Sequence, residues 1–204
     1  MNKRTYWFVV CVGLIVCVLS TIQTWPNNAV ARMLQISNST NQTPSEHALL
    51  TVSKQSVIGH PTLSPVFMNQ VLAAAHSPAQ GTGQALHDLS VRSGIDDAYA
   101  LAFFQHESLF GTTGVARSTL SLGNIRCSAG YRCMAGYRAY ASWIAGYADW
   151  FQLIATLYIG HWHLTTVEQI IPVYAPASDG NDVAGYIVAV ERAVRQWRHG
   201  EVQA

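Results

Sequence analysis

Apolar positions follow two regimes along this chain. A continuous run extends from about Trp7 to Leu19, directly after Lys3 and Arg4. From Ser64 onward apolar residues instead recur at spacings of three and four, punctuated by glycine and proline. The stretch between, residues 32–62, is rich in Ser, Thr, Asn and Gln and holds no sustained period. Two basic residues before a short apolar run form an export signal. The run falls short of the ~20 residues that span a bilayer, although Thr21 and Ile22 extend it. Ala29-Val30-Ala31 has the small-x-small form of a cleavage site. Cleavage and retention as a membrane anchor through residues 7–22 both fit; either way Lys3 and Arg4 stay inside and the rest is exported. The expected organisation is a signal peptide or anchor at 1–31, a flexible linker at 32–62 and one compact domain at 63–204.

The second regime predicts helices. Ser64-Pro65 supplies an N-cap followed by proline at the first helical position. Val66, Phe67, Val71 and Leu72 then form an apolar face. Gly81-Thr82-Gly83 breaks the chain, and a second helix carries Leu86, Leu89 and Val91 up to Gly94. Asp96 caps a third helix, Asp97 to about Ser108, and the glycines of Gly111-Thr112-Thr113-Gly114 stop it. Residues 117–141 combine glycines, tyrosines and two cysteines, and read as irregular structure or a small hairpin. Ser142 caps a strongly amphipathic helix with Trp143, Tyr147, Trp150, Phe151, Ile154 and Tyr158 on one face. Thr166 opens a short helix that stops near Pro172. A last helix from about Asn181 carries Val183, Tyr186, Ile187, Val190, Val194 and Trp197. Strand-like alternation is scarce, so the fold class is mainly α.

Composition refines this picture in two ways. Hydrophobic residues make up 50% of the chain, enough for a real core. A net charge of +1 with 11% charged residues leaves no basic stripe, which excludes a nucleic-acid partner. Cys11 and Cys17 fall in the apolar run and act as small hydrophobes. Cys127 and Cys133 lie in the exported part, where the oxidising compartment and close spacing predict a disulfide rather than a metal site.

The candidate chemistry centres on Glu107, at the end of an otherwise apolar helix. Phe104 and Phe103 lie three and four positions earlier, on the same face. A carboxyl beside aromatic rings is poorly solvated, which raises its pKa and suits a general acid for glycoside cleavage. His106-Glu107 lacks the second histidine of a zinc-protease helix, and no nucleophile elbow or phosphate loop is present. His161-Trp162-His163 reads as surface. No metal or cofactor is expected.

Downstream of Glu107-Ser108-Leu109-Phe110-Gly111 come Ser121-Leu122-Gly123-Asn124-Ile125-Arg126, then Gly136-Tyr137-Arg138-Ala139-Tyr140-Ala141-Ser142-Trp143, then Gly146-Tyr147-Ala148-Asp149-Trp150. In this order the segments resemble the glucosaminidase (mannosyl-glycoprotein endo-β-N-acetylglucosaminidase-like) family of peptidoglycan hydrolases, over roughly residues 64–175. The middle segment departs from the family's usual Asn-Leu-Phe-Gly-Ile. The resemblance implies a lysozyme-like helical domain, preceded here by the signal or anchor helix, that cuts β-1,4 bonds of cell-wall glycan as an endo-β-N-acetylglucosaminidase or muramidase. It implies Glu107 as acid, Tyr140 as a second catalytic group flanking the cleft, and Asn124 as a substrate contact. Tyr131 and Tyr137 are further candidates, because aromatic faces stack on sugar rings. Asp149 is an available acid, but its amphipathic helix favours a structural role. The segment Ile95-Asp96 leading to Glu107-Ser108 also resembles lytic transglycosylases, without their Gly-Leu-Met-Gln-like continuation. A non-catalytic wall-binding module on a tether is the remaining alternative. The expected partner is peptidoglycan, engaged by a monomer that is secreted or anchored facing the wall.

Overall fold

The computed structural model describes residues 55–203. The signal or anchor at 1–31 and the linker up to residue 54 lie outside the described residues. Among the described residues the structure is mainly helical, with one two-stranded ribbon. No helix among them is long and apolar enough to cross a membrane.

The ordered body begins earlier than composition implies. Residues 55–62, expected as linker, are built into the domain. Val57 N–H donates to the Thr165 carbonyl at 2.8 Å, and Asp96 N–H donates to the Val57 carbonyl at 3.0 Å. Val57 is itself buried. Satisfied backbone groups and one buried side chain thus order a polar stretch whose composition alone could not.

Helix α1, Pro65–Ala74, starts where Ser64 accepts the Phe67 N–H at 3.1 Å. It buries Met68, Val71 and Leu72, which share one face at helical spacing, and leaves Val66 exposed. Helix α2, Gly83–Ser93, ends at Gly94 in the left-handed conformation. It buries Leu86 and Leu89, while Val91 points to solvent.

Helix α3, Asp97–Ser108, is the centre of the domain. Asp96 accepts the Ala98 N–H at 3.0 Å as the N-cap. Every residue from Asp97 to Phe104 is buried, as expected of a helix surrounded by others. At its base Asp97 accepts N–H bonds from Thr62 and Leu63 at 3.0 and 3.1 Å. Arg198 donates to Asp96 at 2.6 Å. Burial is the main cause that pushes the Asp97 carboxyl up to about 6, and neighbouring Asp96 adds to it.

After the four-residue helix α4, Ala116–Thr119, comes the cysteine segment. Strand β1, Cys133–Met134, pairs antiparallel with β2, Tyr137–Arg138. Ala135 and Gly136 both have positive φ, 50° and 84°, the conformation of a tight hairpin turn. The sulfurs of Cys127 and Cys133 are within bonding distance, with Cα atoms 5.7 Å apart. Closing so short a loop contributes about 2 kcal/mol in the chain-entropy picture. Reduction, or Cys127→Ser with Cys133→Ser, should lower unfolding stability by that amount in denaturant titrations.

Helix α5, Trp143–Leu153, is capped by Ser142 and runs directly into a π-helical stretch, Ile154–His161. Tyr147, Trp150, Phe151, Ile154 and Tyr158 are buried on its inner side, and Trp143 is half-buried. Helix α6, Val167–Tyr174, opens on a capping box between Thr166 and Gln169. It runs two residues beyond Pro172 instead of stopping there. The proline lies on the exposed side and removes one donor without ending the helix. After a 3₁₀ turn, Ala177–Asp179, helix α7, Val183–Arg198, packs along α3 and buries Tyr186, Val190, Val194 and Trp197.

Candidate active site

Glu107 sits in the last turn of α3, just where that helix emerges from the core. Ser108 fixes this end. Its hydroxyl donates to the Leu122 carbonyl at 2.9 Å and accepts the Gly111 N–H at 2.9 Å. Leu109, Phe110 and Gly111 all have positive φ, which turns the chain sharply away. A side chain at Gly111 would come within 2.8 Å of Leu122 and 2.9 Å of Trp143. The Glu-Ser-x-x-Gly element is therefore a device that ends the helix and ties it to the segment holding Asn124.

That segment returns beneath Glu107. The Asn124 Nδ2 group donates to the Glu107 carbonyl at 2.6 Å, from a residue held at φ 44°. The Tyr174 hydroxyl, at the end of α6, donates to the Gly123 carbonyl. From α7 the Tyr186 hydroxyl donates to Glu107 Oε1 at 2.8 Å. The Tyr186 ring is itself stacked on His106, with centroids 3.6 Å apart, and packs against Phe103. Burial raises the Glu107 carboxyl to about 7, against the lowering effect of the bonds from Tyr186 and Asn124.

An open cleft of about 360 Å³ lies over this carboxyl. Asn124, Tyr158, Tyr174, Arg126, Tyr137 and Arg138 line it together with Glu107 and the turn at Asp179. Of the residues singled out from the sequence, Glu107, Asn124 and Tyr137 meet in this cleft. Tyr140 does not line it. Its hydroxyl donates to Asp149 Oδ2 at 2.5 Å, the oxygen that also accepts Arg138 Nη1 at 2.8 Å. Tyr131 is exposed, with the Arg138 guanidinium 3.7 Å from its ring centre. Asp149 is thus committed to Arg138 and Tyr140. Arg138 links the three residues to the cleft wall.

The helical spacing of Tyr158 and Tyr186 reads as core, and nothing in the sequence singles out Tyr174, Arg126 or Asp179 as site residues. A buried tyrosine whose hydroxyl serves the site has the same periodicity as one that only packs. Among the described residues no three His, Cys, Asp or Glu side chains converge as a metal site requires. No protein-family model matches the chain, and no curated protein matches it significantly.

The floor of the cleft is sensitive to one atom. A Cβ on Gly123 would lie 2.5 Å from Trp150 Cδ1 and 2.9 Å from the Tyr174 hydroxyl. Gly123→Ala should therefore cost about 1–3 kcal/mol through overpacking. The displaced Tyr174 and Asn124 should also change near-ultraviolet dichroism, which reports aromatic packing.

Proposed function

We propose that this chain is an exported glycoside hydrolase that cuts β-1,4 bonds of cell-wall glycan, with Glu107 as general acid. The observation that carries the reading is a carboxyl raised to about 7 at the wall of an open cleft. Such a group holds its proton near neutral pH yet can release it to a leaving oxygen. Tyr137, in the cleft wall, supplies an aromatic face for a sugar ring.

In the proposed reaction the Glu107 proton passes to the glycosidic oxygen as the C1–O bond breaks. The electron pair leaves with the oxygen, and C1 becomes oxocarbenium-like. The other carboxylate in the cleft lining is Asp179, which is paired with Arg126 at 3.1 Å. Asp149 is held by Arg138 and Tyr140. This arrangement favours completion by the substrate's own N-acetyl oxygen followed by water, with the Glu107 carboxylate recovering its proton from that water. Transglycosylation uses the same first step and closes an internal ether instead.

The test is digestion of purified peptidoglycan sacculi by the full-length chain, with mass analysis of soluble products. New reducing ends support the hydrolase, and anhydromuramic ends assign the lytic transglycosylase. Binding without soluble fragments overturns the enzymatic reading in favour of a wall-binding module.

A further inference from the structure

Two arginine–aspartate pairs stand at the cleft, and they differ in commitment. Arg138 and Asp149 are each only 11% exposed in their side chains, and Tyr140 adds a second bond to the same carboxylate oxygen. Arg126 and Asp179 are 69% and 43% exposed, and both line the cleft that holds Glu107. The first pair is part of the framework. The second is a surface pair, a class that contributes little to stability. Exchanging its aspartate for another carboxylate costs the fold almost nothing.

Arg126 is also aimed. Its backbone bridges to Tyr137, and its guanidinium lies 5.5 Å from the centre of the Tyr137 ring. Arg126 thereby lays its cation over the Tyr137 ring, and the two residues line one wall of the cleft. Asp179 comes from the 3₁₀ turn that follows α6, 53 residues away in sequence. A guanidinium is planar and matches a carboxylate through two parallel N–H bonds.

We infer that Arg126 is a specificity residue that receives a carboxylate of the glycan substrate, with Asp179 as the internal carboxylate that the substrate displaces. The inference rests on the glycan reading. The substrate carboxylate has two sources, the lactyl group of muramic acid and the stem peptide. If the pair served only to hold the cleft in shape, breaking it from either side would move binding in the same direction. Under displacement the two sides act oppositely. Loss of Arg126 removes the receptor, and loss of Asp179 removes the competitor.

The experiment measures binding by the full-length Glu107→Gln chain, so that substrate is not consumed. Ligands are peptide-free glycan strands, which carry the lactyl carboxylate, and peptide-bearing strands. Each is also prepared with its carboxyls amidated. Added Arg126→Gln should weaken binding of the carboxylate form about tenfold more than the amidated form. Added Asp179→Asn should tighten the carboxylate form about threefold. The strand type that shows the effect names the source. Because the pair is exposed, both variants should keep the parent melting temperature. Equal effects on charged and amidated strands, or effects of the same sign in both variants, overturn the inference. Wild-type cleavage with no carboxylate dependence overturns it and leaves the hydrolase reading standing. Carboxylate-dependent binding without wild-type cleavage does the reverse. Absence of both removes both.

Discussion

Glu107→Gln should reduce glycan cleavage by about 10²–10⁴-fold while leaving the protein folded and able to bind sacculi. Glutamine keeps the shape of the side chain and can still accept the Tyr186 hydroxyl bond that Glu107 Oε1 accepts at 2.8 Å. What it lacks is a transferable proton. The loss should therefore appear in kcat, with KM little changed, because the proton matters only as the glycosidic bond breaks. Equal rates for the two proteins on sacculi would remove Glu107 from the mechanism.

The pH dependence follows with a definite sign. Burial raises this carboxyl from 4.5 to about 7, so the acid form persists through the mildly acidic range. Cleavage should fall as pH rises past that value. Stability behaves consistently. Between these two pKa values the folded chain binds more protons at Glu107 than the unfolded chain does, so stability declines as pH rises through that window and levels off above it. The full decline at this one site is on the order of 3 kcal/mol. Glu107→Gln cannot titrate and escapes it. The variant should thus gain melting temperature relative to wild type between pH 5 and pH 8, as scanning calorimetry would show. A residue that gains stability when its charge is abolished, and loses function by the same change, is serving a task other than folding.

How much of this was legible in the sequence depends on the residue. Helix α3 was, at both ends. Asp96 before an apolar stretch and Gly111 after it are local signals that need no tertiary information. Glu107 was legible too, because an acid at the end of such a helix is a local contradiction. Its surroundings were only half legible. Phe103 and Phe104 are buried as expected, but the group that touches the carboxyl is Tyr186, 79 residues away. Nothing in its 3.6-residue periodicity separates it from Val190 or Trp197. Tyr140 shows the opposite failure. Its segment points to the cleft, yet its hydroxyl is taken up by Asp149, nine residues on. Residues 55–62 read as linker because their order comes from partners at Gly94, Asp96 and Thr165, which composition does not encode.

Trp150→Ala should be the most damaging core substitution near the site. The side chain is 2% exposed. Its ring meets Phe103, Phe104 and Phe151 at centroid distances of 5.4, 5.2 and 5.3 Å. Replacing a buried tryptophan by alanine costs about 3–5 kcal/mol, part from lost burial and part from the cavity left behind. Domains of this kind hold only ~5–15 kcal/mol in total, so the variant would keep a small margin. Its melting temperature should drop by about 10 °C or more. Ile144→Ala, on the exposed side of the same helix, should change stability by less than about 0.5 kcal/mol. The cavity would also open directly behind Gly123, whose Cα faces Trp150 and the Tyr174 hydroxyl so closely that no Cβ fits between them. Tyr174 could then leave the Gly123 carbonyl, and Asn124, the next residue, would lose its fixed approach to Glu107. Cleavage measured well below the lowered melting temperature should therefore fall further than the folded fraction does. If activity instead tracks the folded fraction alone, the aromatic core stabilises the domain without positioning its acid.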